Sequence, residues 1–135
     1  MYRIFFVFLA ALLLAGCRQE APPEPEPQYR CVTRVDMTCS YGGENCYKQF
    51  TQEEKIRSVL HYLRLLQDNG TLEDLPADEL GAEYEILLFF SDGGCRTYRQ
   101  VDTDYICQNE GRWRILKPSQ GRKLLTLFRL LPSDV

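Results

Sequence analysis

The stretch Glu83–Leu116, EYEILLFFSDGGCRTYRQVDTDYICQNEGRWRIL, decides the fold. Its first segment, Glu83–Ser91, holds Ile86-Leu87-Leu88-Phe89-Phe90, a run apolar on both faces that suits a central strand. Asp92-Gly93 signals a tight hairpin leading into a strand near Cys95–Val101. Asp102-Thr103-Asp104 then turns the chain into Tyr105–Gln108, and Asn109-Glu110-Gly111 turns it into Arg112–Leu116. Four short strands joined by three short turns make an antiparallel meander.

Working outward, Tyr29–Ser40 alternates with period two. Cys31, Thr33, Val35, Met37 and Cys39 are expected on one face, against Val32, Arg34, Asp36, Thr38 and Ser40 on the other. Gly42-Gly43 supplies a two-residue turn, and Glu44–Phe50 forms the return strand. Thr51 and Glu54 have the spacing of a capping box. Ile56, Val59, Leu60, Leu63 and Leu66 follow at helical intervals, with Gly70 as the stop. Thr71–Gly81 is acidic and irregular. Beyond Pro118, Ser119 is placed to cap a last helix that buries Leu124, Leu125, Leu127, Phe128 and Leu131. The order is a two-strand hairpin, a helix, a four-strand meander and a C-terminal helix. An α+β fold, an antiparallel sheet with helices on one side, buries both apolar stripes.

The first part of the chain reads differently. Arg3 precedes an uninterrupted apolar run of 11 residues, Ile4–Leu14. A helix needs about 20 residues to cross a ~30 Å hydrocarbon core, so the run is a signal-peptide core rather than a permanent span. Leu14-Ala15-Gly16-Cys17 resembles the lipobox of bacterial lipoprotein precursors. The resemblance implies cleavage between Gly16 and Cys17, a diacylglyceryl thioether on Cys17, and a fatty acyl group on its new amino terminus. It also places the domain on the extracytoplasmic side of a cell membrane or outer membrane, and Arg18 is compatible with either. Residues 18–27 hold four prolines and three glutamates, the composition of an extended tether. At ~3.1 Å per residue it spans up to about 30 Å. The expected organisation is a signal peptide over 1–16, a lipidated Cys17 with its tether over 17–27, and one domain over 28–135. Outside the lipobox, that domain resembles small lipoproteins in general.

Six cysteines in an exported chain point to disulfides. Assigning Cys17 to lipid leaves five, so at least one has no partner within the chain. A hairpin turning on Gly42-Gly43 sets Cys39 opposite Cys46, close enough for a bridge, and this is the leading pair. With a turn at 102–104, Cys107 lies opposite Arg99 and four residues from Cys95, roughly 13 Å at strand rise. Cys31, Cys95 and Cys107 are therefore weaker candidates, equally readable as packed thiols.

Constellations for chemistry are sparse. His61 is the only histidine and lies beside the apolar stripe of the first helix, where a boundary residue is the default. There is no Cys-x-x-Cys pair for zinc, and Asp102-Thr103-Asp104 lacks the ladder of a calcium loop. Glu53-Glu54 suits a helix first turn, and the paired glycines belong to turns rather than to a phosphate or cofactor cradle. Charge is segregated along the chain. Asp68–Asp92 holds eight acids and no Lys or Arg, whereas Arg96–Arg129 holds eight bases and three acids. The two stretches are expected chiefly to pair with each other. The sharper expectation is a basic patch of Arg112, Arg114, Arg122, Lys123 and Arg129 for an anionic envelope polymer or lipid headgroup. A net charge of −3 and the exported location argue against nucleic acid. A non-catalytic binding or accessory module, engaging an envelope protein or polymer, is the reading that the residues favour. A small envelope enzyme or enzyme inhibitor stays open.

Overall fold

The computed structural model describes residues 31–67, 69–76 and 81–135. The expected signal peptide, Gly16, Cys17 and the expected tether lie outside the described residues. No described helix is long and apolar enough to cross a membrane.

The domain is α+β, with seven strands and two helices. In chain order these are β1 (Val32–Tyr41), β2 (Glu44–Phe50), α1 (Glu53–Leu65), β3 (Thr71–Leu72), β4 (Glu83–Phe90), β5 (Cys95–Val101), β6 (Tyr105–Gln108), β7 (Trp113–Ile115) and α2 (Pro118–Leu130). They form one antiparallel sheet in the order β2-β1-β4-β5-β6-β7-β3. The expected hairpin and meander are both present, joined by pairing of β1 with β4. The seventh strand is an addition. Thr71 and Leu72, expected as irregular chain, pair with Arg114 and Trp113 at the edge beyond β7.

Turn chemistry sets the registers. Gly42 and Gly43 have φ of 59° and 82°, the positive values that a type I′ turn demands at both positions. Asn109 and Glu110 adopt the same pair of conformations without glycine, at 49° and 58°, and Gly111 N–H closes the turn onto the Gln108 carbonyl at 2.9 Å. Alternation holds along β1 from Val35 to Cys39 but breaks before it. The register shifts between Val32 and Arg34, so Val32 joins the core face that simple alternation assigns to Cys31 and Thr33.

Both helices pack on one face. Ile56, Val59 and Tyr62 of α1 and Leu124 of α2 are buried with Val35, Met37, Phe50, Ile86 and Leu88. Leu60, Leu63, Leu66, Leu125, Leu127, Phe128 and Leu131 pack around them, in line with both helical stripes. On the opposite face Val101, Cys107 and Trp113 make a smaller cluster under Leu72, Leu75 and Tyr105.

The helix ends differ from expectation. α1 starts at Glu53 with Gln52 as N-cap and no side-chain cap, so the Thr51–Glu54 capping box is not made. Instead Asp134, beyond α2, accepts the backbone N–H groups of Thr51 (2.7 Å) and Gln52 (2.9 Å) and pairs with Lys55. Its negative charge also suits the positive end of the helix dipole. α1 ends at Leu65, five residues before Gly70, whose φ of 114° serves the entry to β3. α2 begins with Pro118 at its first turn and Lys117 as N-cap, so Ser119 lies inside the helix. At its other end Lys48 of β2 donates to the carbonyls of Phe128 and Leu131, the latter at 2.8 Å. Each helix thus has one end held by a charge from a distant part of the chain.

Gln100 is fully buried on the helix-facing side of β5. Its Oε1 accepts the Tyr62 hydroxyl of α1, and its Nε2 donates to the carbonyls of Asp102 (2.8 Å) and Gly121 of α2 (3.1 Å). Gly121 is required here for space, because a Cβ would lie 2.1 Å from the Thr103 carbonyl oxygen. Burial pushes the Tyr62 phenol pKa up, opposed by the bond to Gln100. Replacing Gln100 with Leu orphans the Tyr62 hydroxyl and takes the amide donor from the Asp102 carbonyl, whereas the Gly121 carbonyl keeps its partner in the α2 helix ladder. Urea titration is expected to show a loss of about 1–3 kcal/mol for each orphaned group. Adding Tyr62→Phe to that variant should restore part of the loss; strict additivity of the two changes would contradict the network.

The Asp134 carboxyl is lowered to about 2, first by Lys55 and then by the N–H groups of Gln52 and Thr51. A depressed carboxyl pKa stabilises the fold above the unfolded value near 3.8, and that stability is lost as pH falls through the folded value. Asp134→Asn should therefore melt below the parent at neutral pH, with the gap closing as pH drops from about 4 to 2. A gap that stays constant over that window would assign the effect to packing instead.

Candidate binding grooves

The two helices leave a groove between them of about 550 Å³. One wall is α1 and its end, with Ser58, His61, Tyr62, Leu65 and Leu66; the other is α2, with Ser119, Gln120, Arg122, Lys123, Thr126 and Leu127. Helical geometry explains the composition. Tyr62 and Leu127 turn toward the core, and His61, Arg122 and Lys123 lie one position off the buried stripe, on the exposed lips. Leu65 remains half exposed beside them. α2 contains no acidic residue, so its lip is uniformly basic. Lys and Arg can lay their apolar stems along such a groove while the charge stays in water.

The expected basic patch is divided rather than assembled. Arg122 and Lys123 line the helix groove, and Arg129 is exposed near the end of α2. Arg114 lies on another flank of α1, donating to the Leu66 carbonyl at 3.3 Å. Arg112 pairs with Glu73 at 3.0 Å. Glu83 takes Arg99, with Oε1 2.8 Å from Nε, and this bond is the first cause that raises the Arg99 pKa. Arg99 also lies 5.5 Å over the Trp113 ring. Two acids of the acidic stretch thus pair with two of the eight bases of the basic one, so the expected internal pairing is made in part. The physical reason for the division is topological: β7 and α2 are consecutive in sequence, yet α2 runs back across the sheet towards β2.

His61 is exposed between two openings: no cysteine, aspartate or glutamate lines the α1–α2 groove with it, whereas the larger opening on its other side, of about 1060 Å³, also carries Cys31, Glu53 and Glu54. Among the described residues no three His, Cys, Asp or Glu side chains gather closely enough to hold a metal ion. Neither Tyr62 nor Gln100 is legible from periodicity as a site residue. The one local signal for Tyr62 is its i+3 spacing from Val59.

The described cysteines meet half of their expectation. Cys39 and Cys46 are direct Cα partners across the β1–β2 hairpin, but both thiols are free and the expected disulfide is not formed. Cys39 is half-buried against the Tyr84 hydroxyl, whereas Cys46 is exposed. Cys107 pairs in register with Arg99, leaving Cys95 out of reach. Burial raises the Cys107 thiol pKa, which keeps it protonated. Cys31 is exposed, off the face that alternation predicts.

The chain matches no protein-family model, and comparison with curated proteins and with solved structures gives no match.

Mild oxidation of the folded protein should join Cys39 to Cys46 ahead of any other pair, read by peptide mass mapping without reductant. Cys107 should resist alkylation until the protein unfolds. Preferential bridging of Cys95 or Cys31 would contradict the hairpin geometry.

Proposed function

We propose that the protein is a non-catalytic binding module, tethered through lipid on Cys17 to the extracytoplasmic side of a membrane. Its site is the α1–α2 groove, and its partner is an acidic, amphipathic segment of another envelope protein. The observation that carries this reading is the pairing of an apolar groove floor, Leu65, Leu66 and Leu127, with the basic lip of Arg122 and Lys123. An amphipathic helix laid in such a groove buries its apolar residues and sets its acids against the lip. Basic rim charges chiefly raise the association rate and make binding fall with ionic strength. The lipobox supports the location, and the Pro/Glu tether supports a domain held off the membrane surface.

Crosslinking and affinity capture of the lipidated protein from its native membrane test the reading. The expected result is one reproducible protein partner whose retention weakens at high salt. A variant carrying Arg122→Glu and Lys123→Glu should lose that partner while keeping its melting temperature within a few degrees. Unchanged capture by the variant rejects the groove as the site. Retention by anionic liposomes alone would replace the protein partner with the membrane surface. A mature protein found unlipidated in the medium would overturn the anchor.

A further inference from the structure

The outer edge of β2 is open along part of its length, and backbone geometry defines that part. Tyr41 and Glu44 are the direct pair that closes the Gly42-Gly43 turn. Glu44, Cys46 and Lys48 therefore turn their N–H and C=O groups inward to β1, and Asn45, Tyr47 and Gln49 turn theirs outward. Gln49 is already satisfied, its N–H by the Ser133 hydroxyl at 3.0 Å and its carbonyl by the Asp134 N–H at 2.8 Å. Among the described residues nothing bonds the outward backbone groups of Asn45 and Tyr47, and Glu44–Tyr47 is exposed throughout. The edge is closed at Gln49 and open before it.

We propose that this open edge pairs with the same edge of a second copy of the chain, antiparallel, about a twofold axis at Cys46. Three such registers set outward groups against outward groups. Centring on Tyr47 places Asn45 against Gln49, whose groups are taken. Centring on Asn45 places Tyr47 against Gly43, which lies in the turn with φ of 82° and cannot continue a strand. Centring on Cys46 places Asn45 of each copy against Tyr47 of the other, and it uses every open N–H and C=O of the segment. The same register sets Glu44 opposite Lys48 of the second copy, so unlike charges share a row. Lys48 keeps its bonds to the α2 carbonyls, and only its charge is used. Gly43 then turns away without a side chain, where the Ser133–Asp134 segment of the other copy begins. The contact is isologous and runs the sheet across both copies. Its short span buries less than the ~1,200 Å² at the low end of stable interfaces, so the pair is weak and forms at high local concentration. The edge lies apart from the α1–α2 groove, and the proposal goes beyond the partner-binding reading without resting on it.

Disulfide trapping of the purified full chain in detergent, at rising concentration, tests the pairing. At the axis the two Cys46 residues form a non-hydrogen-bonded pair, with Cα atoms about 4.5 Å apart and within disulfide range. Cys39→Ser removes the thiol that competes for Cys46 within the hairpin and leaves a hydroxyl beside Tyr84. Diamide takes up the two protons and two electrons that the joining thiols release. Under it the variant should form a dimer linked Cys46 to Cys46, read by peptide mass mapping. Adding Asn45→Pro removes an outward N–H from each copy and spares the β1–β2 ladder. The dimer yield should fall about tenfold, the scale of two lost hydrogen bonds, with little change in melting. Adding Glu44→Lys instead sets lysine against lysine, and the yield should fall severalfold at low salt and less at high salt. That variant gives the answer if the proline variant unfolds. No dimer, a link through Cys31 or Cys95 as abundant as that through Cys46, or full yield in either folded variant overturns the proposal. The charge-reversal variant of the α1–α2 groove should form the Cys46 link normally, so a failure of the groove reading is distinguishable from a failure here.

Discussion

Gln100 is the side chain on which the arrangement of the layers depends. It sits in the fourth strand of seven, fully buried, and its single amide bonds α1, α2 and the turn after β5 at once. Apolar packing alone would let two short helices slide over a sheet, because hydrophobic contact is non-directional. A buried amide cannot tolerate such sliding, since each displaced bond leaves a polar group unsatisfied in low dielectric. The Tyr62 hydroxyl fixes α1, the Gly121 carbonyl fixes α2, and the absence of a side chain at 121 lets α2 close on the Thr103 carbonyl. The groove between the helices has a defined width because both of its walls are referred to the same residue.

The helix ends extend this logic to the sheet edge. Helices of 13 residues are marginal on their own, and neither has a local side-chain cap. Asp134 holds the start of α1 and Lys48 the end of α2, so the segment after α2 is stitched to β2 and to the α1 entry together. Asp134 N–H also donates to the Gln49 carbonyl, and Ser133 accepts the Gln49 N–H, which occupies part of an otherwise open strand edge. That contact protects this part of the edge from pairing with another chain.

With the helices so fixed, charge is sorted by surface. Glu83 and Glu73 answer Arg99 and Arg112, and this quiets the basic part of the sheet. Arg122 and Lys123 lie instead on the lip of the helix groove.

The strands from Glu83 to Ile115, the Gly42-Gly43 turn and the two helical stripes were readable in the residues, because strand alternation and turn conformation are local properties. The same locality made Cys39 opposite Cys46 and Cys107 opposite Arg99 legible, since a two- or three-residue turn fixes the register of the strands that it joins. β3 was not legible: two residues carry no periodicity, and the pairing exists only because β7 lies alongside. The α1 cap was misread because Asp134, which takes the Thr51 N–H in place of Glu54, lies 83 positions from Thr51, and the α2 start because Pro118 opens the helix directly after Lys117, which leaves Ser119 inside it. Tyr62, Gln100 and Gly121 gave no sign of acting together until the sheet and both helices met. The basic stretch likewise was divided between the sheet and the helix groove only when α2 folded back across the sheet. Residue order determined which segments could be strands or helices, through conformational preferences acting over a few residues. The tertiary structure alone decided which polar groups were buried together and which charges were paired, because desolvation and pairing depend on distance in space.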